Sequence, residues 1–153
     1  MAKGSNIVEL DVPLEYTWDF VSNMNNWAPL VNGYVTHKII DDRHSTWRLQ
    51  GDLGVIKRYI NLHVEITEWQ APDKISFTIA SPTKKLIGNG FFHAEAISPS
   101  ITRITSKLEM KATGKGAFVF NNAMKPFVPR MAKKLANAVA NKIAEQCNTH
   151  SNT

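Results

Sequence analysis

Residues 54–70, GVIKRYINLHVEITEWQ, decide the fold of this chain, because apolar and polar side chains alternate along them. Such a two-residue repeat is typical of a β-strand with one buried face. The face predicted to lie inside carries Ile56, Ile60, Leu62, Val64 and Ile66. The face predicted to lie outside carries Lys57, Tyr59, Asn61, His63, Glu65 and Thr67. One side of the predicted sheet is therefore apolar and the other side polar.

Strand-like segments continue on both sides of this stretch, from about Gly33 to Thr113. Before it, we predict strands at residues 34–41 and 45–50, which are hairpin partners across a polar turn. After it, a strand places Ile75, Phe77 and Ile79 on one face. Two more strands are predicted at residues 86–97 and 101–112, so consecutive antiparallel pairing accounts for the middle of the chain.

The last two predicted strands differ in how clearly they show an inner face. In residues 86–97, Gly88 and Gly90 predict a bulge or a strong bend. Because Glu95 is charged, we assign the opposite set to the interior, namely Phe92, Ala94 and Ala96. In residues 101–112 the inner set is Ile104, Ser106, Leu108 and Met110.

Short helical segments precede these strands. Residues 7–12 alternate as a first strand, and Pro13 follows at a position where a helix can begin without losing a hydrogen bond. The helix after it places Leu14, Thr17, Trp18 and Val21 on one face. Residues 23–26 are predicted to form a turn, and residues 27–31 a second brief helix.

A long amphipathic helix, residues 118–146, ends the predicted fold. Its apolar stripe contains Phe120, Met124, Phe127, Met131, Leu135, Ala138, Val139 and Ile143. Pro126 and Pro129 are unfavourable inside an unbroken helix, so we expect a kink or two segments that meet near Lys125. A curved antiparallel sheet covered by such a helix can leave an apolar space between them, which favours a container for a hydrophobic molecule.

The composition fits one folded domain. With 153 residues, 43% of them hydrophobic, the chain can bury a full core. We expect a single ligand-binding domain at residues 5–147 and a polar tail at 148–153. No stretch approaches the roughly 20 apolar residues of a membrane span, and no secretory signal is visible. Cys147 is the one cysteine, so an internal disulfide is excluded and a cytoplasmic location is expected.

The formal charge of +5 indicates a modest attraction to anionic partners. The basic residues are spread along the chain, with adjacent pairs only at Lys57–Arg58, Lys84–Lys85 and Lys133–Lys134. Nucleic-acid binding needs clustered charge and exposed aromatic residues, so we do not predict it. Peripheral contact with a membrane stays open, and the sequence does not predict an oligomeric state.

Residues 12–23, VPLEYTWDFVSN, resemble the opening of the superfamily that contains START domains, Bet v 1-like proteins and polyketide cyclases (SRPBCC). In that family a strand meets a proline, then a glutamate, then a helix that bears a tryptophan. Residues 27–33, 54–57, 88–90 and 114–117 look like the CoxG-like branch, which is related to carbon monoxide dehydrogenase. The resemblance covers nearly the whole chain. The C-terminal membrane anchor of some members of that branch is not visible here.

This resemblance implies an α+β helix-grip fold. In it, a curved antiparallel sheet of about six or seven strands grips the C-terminal helix, with two short helices after the first strand. Members mostly bind hydrophobic ligands such as lipids, quinones or polyketides, and a minority are enzymes. The resemblance thus implies a noncatalytic binding or carrier protein, with a polyketide cyclase or dehydratase as the alternative.

Candidate ligand contacts follow from the inner faces. Arg58 shares the parity of Ile56 and Ile60, so it is predicted to bind an acidic or carbonyl group of a ligand. Alternatively, it reaches solvent at the rim, or a bulge after Gly54 reverses the local parity. The candidate apolar walls are Trp47, Ile60, Phe77, Phe92, Met110, Phe120, Met124, Phe127 and Met131. Aromatic and methionine side chains at these positions also suit a plain core.

Metal and cofactor chemistry is not predicted. The five histidines show no metal-ligand spacing, and one cysteine cannot form a thiolate cluster. His37 would be a general base only if a partner positioned it, and the sequence identifies none. Gly114–Lys115–Gly116 lacks the residues that complete a phosphate loop, so we interpret it as a turn. We therefore assign no catalytic residue, no metal and no cofactor.

Overall fold

The computed structural model describes residues 2–53 and 56–151, with side chains described for 2–51 and 59–147. Its strands are β1 (Ala2–Leu10), β2 (Tyr34–Ile39), β3 (His44–Leu53), β4 (Ile56–Gln70), β5 (Lys74–Ala80), β6 (Leu86–Ser98) and β7 (Ile101–Ala112). Its helices are α1 (Leu14–Val21), α2 (Met24–Trp27) and α3 (Ala117–Ser151), with one turn of 3₁₀ helix at Ala28–Leu30.

The strands of the described chain form a single antiparallel sheet in the order β1-β7-β6-β5-β4-β3-β2. Strands β2 to β7 pair with their neighbours in sequence, while β1 crosses to pair with β7. The helices α1 and α2 form that crossover, and α3 packs on the sheet. The prediction of a curved antiparallel sheet that grips a long C-terminal helix, with two short helices after the first strand, is confirmed.

The inner face of the sheet follows the predicted parity in β4, β5 and β7. In β4, Leu62, Val64 and Ile66 are buried, and the described residues of the predicted outer face, from Tyr59 to Thr67, are exposed. Ile75 is buried in β5, as are Ile104 and Met110 in β7. Side-chain alternation alone was therefore enough to orient these three strands.

The first strand begins earlier than predicted, at Ala2 rather than residue 7. Ala2 is buried and is the register partner of Met110. A Cβ on Gly4 would come within 2.8 Å of the Ala132 Cβ, so small residues let α3 lie close to this strand. Small inner residues produce no hydrophobic alternation, which is why the sequence pattern missed the start of β1.

Three further expectations need correction. Residues 24–26, predicted as part of a turn, are helical, because the Asn23 side chain caps α2 by accepting the Asn25 backbone N–H at 3.1 Å. Ala96, which was predicted to lie inside, is exposed near the end of β6, next to a register shift between Ala96 and Ser98. The register of β6 is unbroken at Gly88 and Gly90, so the predicted alternative of a bulge at these glycines is wrong.

Helix α3 is continuous from Ala117 to Ser151 and contains both Pro126 and Pro129. The alternative of two separate segments is thus wrong. On its buried side, Met124, Val128, Ala132 and Ile143 are each less than a tenth exposed. Packing of this side on the sheet compensates for the backbone hydrogen bonds that the two prolines remove.

Candidate functional site: an apolar cavity between the sheet and helix α3

A cavity of about 240 Å³ lies between the inner face of the sheet and α3. A single water molecule needs only about 10–15 Å³ of such space, so the cavity exceeds a simple packing defect. Strands β3 to β7 supply one wall, and α3 as far as Val139 supplies the other. The sheet and the helix therefore stand apart over the middle of the molecule.

The candidate apolar contacts come together at this cavity. Those of the sheet wall are Trp47, Ile60, Phe77, Phe92 and Met110, and those of the helix wall are Phe120, Met124, Phe127 and Met131. The helical set recurs at spacings of three and four residues, which places its members on one side of α3. Their contact with a ligand stays a prediction.

Arg58, the remaining candidate, lies outside the residues whose side chains are described. Its Cα is paired in register with that of Gly51, a residue at the cavity wall. The proposed role of the guanidinium group as a ligand anchor stays a prediction.

The sequence interpretation did not assign cavity residues to the segment before β2, yet Val21, Trp27 and Val31 line one end. The Trp27 ring centroid lies 5.8 Å from that of Trp47. Both indole N–H groups are satisfied within the protein, by the Val21 carbonyl at 3.0 Å and by the Ser45 hydroxyl at 3.0 Å. The two rings thus offer apolar surface to the cavity without an unpaired donor.

At this aromatic end of the cavity, the His37 ring packs beside Trp47. His37 Nε2 lies 2.7 Å from Asn25 Oδ1, and His37 Nδ1 lies 2.6 Å from the Tyr34 hydroxyl. Because an amide oxygen only accepts, Nε2 carries the proton, and in the neutral ring Nδ1 accepts from Tyr34. The imidazole centroid is 5.4 Å from that of Trp47. The sequence did not identify these partners. They form hydrogen bonds with both ring nitrogens and so fix the imidazole beside the cavity wall.

Glycine determines the shape of the sheet wall at one point. A Cβ on Gly90 would contact the Lys107 carbonyl oxygen and would lie 2.6 Å from Cζ of Phe77. The Phe77 ring therefore lies directly over the backbone of β6. This close approach, which no pattern of hydrophobic residues reveals, lets the ring lie along the wall.

Polar side chains are scarce around the cavity. Among the described lining residues, Ser106 has a hydroxyl group and Lys107 an ammonium group. The ammonium is 2.8 Å from Glu109 Oε1, and this hydrogen bond lowers the pKa of Glu109. No cluster of three or more His, Cys, Asp or Glu side chains suited to a metal occurs in the described chain.

No described helix combines the length and the apolar composition that crossing a bilayer requires. Most of the large apolar residues of α3 pack on the sheet or line the cavity, while Phe118 and Val119 in its first turn are exposed.

Comparisons with known proteins agree with this architecture. A protein-family model, whose description reads only "-like:-like", matches residues 1–146. No curated protein matches the sequence. A conserved protein of Geobacillus kaustophilus has a similar structure, with a TM-score of 0.77 and 15% identity over 94% of this chain and 95% of that one.

Two enzymes are also similar in structure. A norcoclaurine synthase point mutant of Thalictrum flavum has a TM-score of 0.68 and 12% identity, with 94% of each chain covered. A Streptomyces aromatase/cyclase has a TM-score of 0.59 and 11% identity, over 95% of this chain and 93% of that one. Because the family model matches residues 1–146, the chain belongs to the family that this model describes, and the likeness to these structures shows that its architecture is the helix-grip fold.

Proposed function

We propose that this protein binds and carries a hydrophobic small molecule in the cavity between the sheet and α3, without catalysing a reaction. The observation that carries the proposal is an apolar cavity with satisfied indole donors at its end. Ligand sites of this kind are mostly apolar, with few polar groups that orient the ligand. Burying an apolar molecule there is favourable because its surface leaves water.

The walls favour a flexible or ring-containing ligand of the lipid, quinone or polyketide class. Seven of the described lining residues are aromatic, namely Trp27, Trp47, Phe77, Phe91, Phe92, Phe120 and Phe127. Met124 and Met131 on α3 have unbranched side chains that adjust to irregular shapes. An acidic group on the ligand would be bound by Arg58, as the parity of β4 predicts.

Polyketide cyclisation or dehydration in the same cavity is the second candidate. It is supported by the likeness of the fold to an aromatase/cyclase and by Ser106 at the wall. Enzymes of this type need polar groups that converge on a carbonyl. Because Lys107 is held by Glu109 on the same strand, Ser106 is the described group best placed to contact such a substrate.

Two narrower assignments belong to the proposal. The glycine positions at 88–90 and 114–117 support a place near the CoxG-like branch. The lone cysteine supports a reducing compartment, and hence the cytoplasm.

Native mass spectrometry of gently purified protein, followed by extraction of any retained molecule, tests the proposal. We expect a discrete apolar adduct that mild heating or organic solvent releases. The extracted compound is then returned to the protein, and its mass is followed over time. An unchanged compound supports a carrier, a product lighter by one water or newly cyclised supports the second candidate, and a polar compound contradicts both.

A fluorescence titration tests the cavity where no molecule is retained. The probe 1-anilinonaphthalene-8-sulfonate brightens in apolar sites, and palmitate or a short-chain menaquinone should displace it. Displacement at a ratio of one per chain supports the proposal. Lack of binding by the probe and by both competitors would refute it.

A further inference from the structure

The first turn of α3 exposes apolar side chains on the outside of the molecule. Phe118 is 78% exposed and Val119 is 71% exposed, the highest values among the large hydrophobic residues described. Phe120, the next residue, lines the cavity. One helical turn thus has apolar side chains on both its inner and its outer side. An exposed pair of this kind is costly in water and indicates a contact surface.

The fold brings lysines that are distant in sequence to this turn. Thr113 donates its backbone N–H to the Lys85 carbonyl at 2.7 Å and its hydroxyl to the Lys84 carbonyl at 3.2 Å. Residues 81–85 therefore lie against the segment that leads into α3. Lys115 lies within that segment, and Lys125 follows Phe118 by seven residues on the same side of the helix.

Lys111 completes the set. It is paired in register with Ile87, which is 36% exposed on the outer face of the sheet. We call these residues together the α3 patch: Phe118, Val119, Ile87, Lys84, Lys85, Lys111, Lys115 and Lys125.

The stretches of sequence that supply the α3 patch contain no acidic residue, and Glu109, two residues before Lys111 on β7, is bound by Lys107. Residues 74–94 and 110–144, which contain all of it, have neither aspartate nor glutamate. None of its five lysines forms an ion pair within the part of the chain whose side chains are described. Much of the unpaired positive charge of the protein is thus gathered beside its most exposed apolar side chains.

We propose that the α3 patch docks the protein on the surface of an anionic lipid bilayer. Phe118 and Val119 enter the boundary between headgroups and acyl chains, where their apolar surface leaves water. The lysines remain at the level of the headgroups, which attract them through their negative charge. The positive charge of the patch and the exposed side chains of Phe118 and Val119 together favour an anionic bilayer as the partner. A nucleic acid would use the lysines but would gain nothing from Val119.

Docking in this orientation would place the end of the cavity close to the bilayer. Phe120 and Met124 line the cavity within two turns of the exposed pair. The docking proposal itself does not depend on the proposed cargo, because binding to vesicles is measured without any cavity ligand. A protein with an empty cavity can still show it.

Sedimentation with vesicles tests the charge of the patch. We expect the protein to bind vesicles of phosphatidylcholine mixed with phosphatidylserine, to ignore phosphatidylcholine alone, and to dissociate at high salt. Lys84→Glu/Lys85→Glu should reduce the affinity by about fivefold or more per lysine, the fold change that corresponds to about 1 kcal/mol each. Lys133→Glu/Lys134→Glu is the matched control, with the same change in net charge on residues of α3 outside the patch.

A second pair of variants tests the apolar part. Phe118→Ser should weaken binding to the same vesicles, while Ile7→Ser, at a residue 68% exposed on β1, should not. Failure to bind phosphatidylserine vesicles would overturn the proposal. Equal losses in the two lysine variants would also overturn it. So would full binding by Phe118→Ser, particularly if double-stranded DNA competes, because attraction by charge alone would then be the explanation.

Discussion

At the scale of single residues, Gly90 determines how closely Phe77 approaches the sheet. We expect Gly90→Ala to destabilise the protein by about 1–3 kcal/mol, the usual cost of inserting a methyl group into a packed interior. The new Cβ would meet the Lys107 carbonyl and the Phe77 ring. The ring must then move into the cavity, so ligand capacity should also fall. Chemical denaturation and probe titration measure the two effects.

Gly51→Ala provides the control for this prediction. Gly51 also lies at the cavity wall, but among the described side chains its added Cβ would meet the end of Ile60, at 3.1 Å. A flexible side chain yields more easily than a backbone carbonyl, so the loss of stability should be clearly smaller. If both variants lose the same stability, the close contact with Phe77 is not what limits the site.

Arg58 is the residue whose role depends most on the chemistry of the ligand. We expect Arg58→Ala to weaken palmitate binding by about tenfold or more and binding of a neutral long-chain alcohol little, because only the carboxylate gains a charged hydrogen bond. Lys57→Ala, at the neighbouring position of opposite parity, should affect neither. Competition with a fluorescent probe measures all four affinities. Equal weakening of the acid and the alcohol by Arg58→Ala would remove Arg58 from this role.

At the scale of the structural element, the hairpin of β2 and β3 carries a pH-sensitive contact in its turn. His44 Nδ1 lies 3.0 Å from Asp41 Oδ1, and this hydrogen bond raises the pKa of His44 above its usual value of 6.5. The pKa of Asp41 is lowered, first by the Arg43 backbone N–H and then by His44. A raised histidine pKa contributes stability below pH 6.5, and that stability is lost as the pH rises through the folded value.

The hairpin should therefore be stabilised by His44 in mild acid and not in mild alkali. We expect the difference in Tm between the wild type and His44→Gln to be largest below pH 6.5 and to shrink above the folded pKa. The effect should be small, since both side chains are largely exposed. NMR titration of the His44 ring should show that Asp41→Asn lowers its pKa. An unchanged pKa in that variant would contradict the assignment to Asp41.

Long alternating elements were predictable from sequence, while elements built from small residues were not. In β4 the inner face carries large branched side chains, so periodicity alone oriented it. In β1, Ala2 and Gly4 face α3 through their small size, and hydrophobicity gives no sign of this contact. The helix at Met24–Trp27 depends on the cap by Asn23, a local hydrogen bond within polar sequence that otherwise indicates a turn.

At the scale of the whole molecule, the candidate site was only partly predictable. The apolar faces of the predicted strands and of the long helix indicated the cavity walls, because an apolar inner face must either pack against another element or line a space. Tertiary contacts alone show that Trp27 meets Trp47, or that Lys84 lies beside the start of α3. Because the lysines are spread along the sequence, they did not indicate a clustered basic surface. Folding brings Lys84 and Lys85 against the segment that leads into α3 and Phe118, which is why the sequence alone did not predict the α3 patch.

Stability and ligand binding are linked at the level of the whole molecule. Side chains that line a cavity make fewer packing contacts than side chains in a filled core, so space for a ligand lowers stability. We expect Ile79→Trp, which adds bulk at the cavity wall, to abolish binding of the fluorescent probe while keeping the fold. Thr78→Trp adds a similar bulk to the exposed face of the same strand and should preserve both properties. Circular dichroism with thermal melting reports the fold, and the titration reports binding. If Ile79→Trp unfolds the protein while Thr78→Trp does not, the space is too tight for an added ring and the carrier proposal loses its physical basis. If the Ile79→Trp variant folds and still binds the probe, the probe occupies another site.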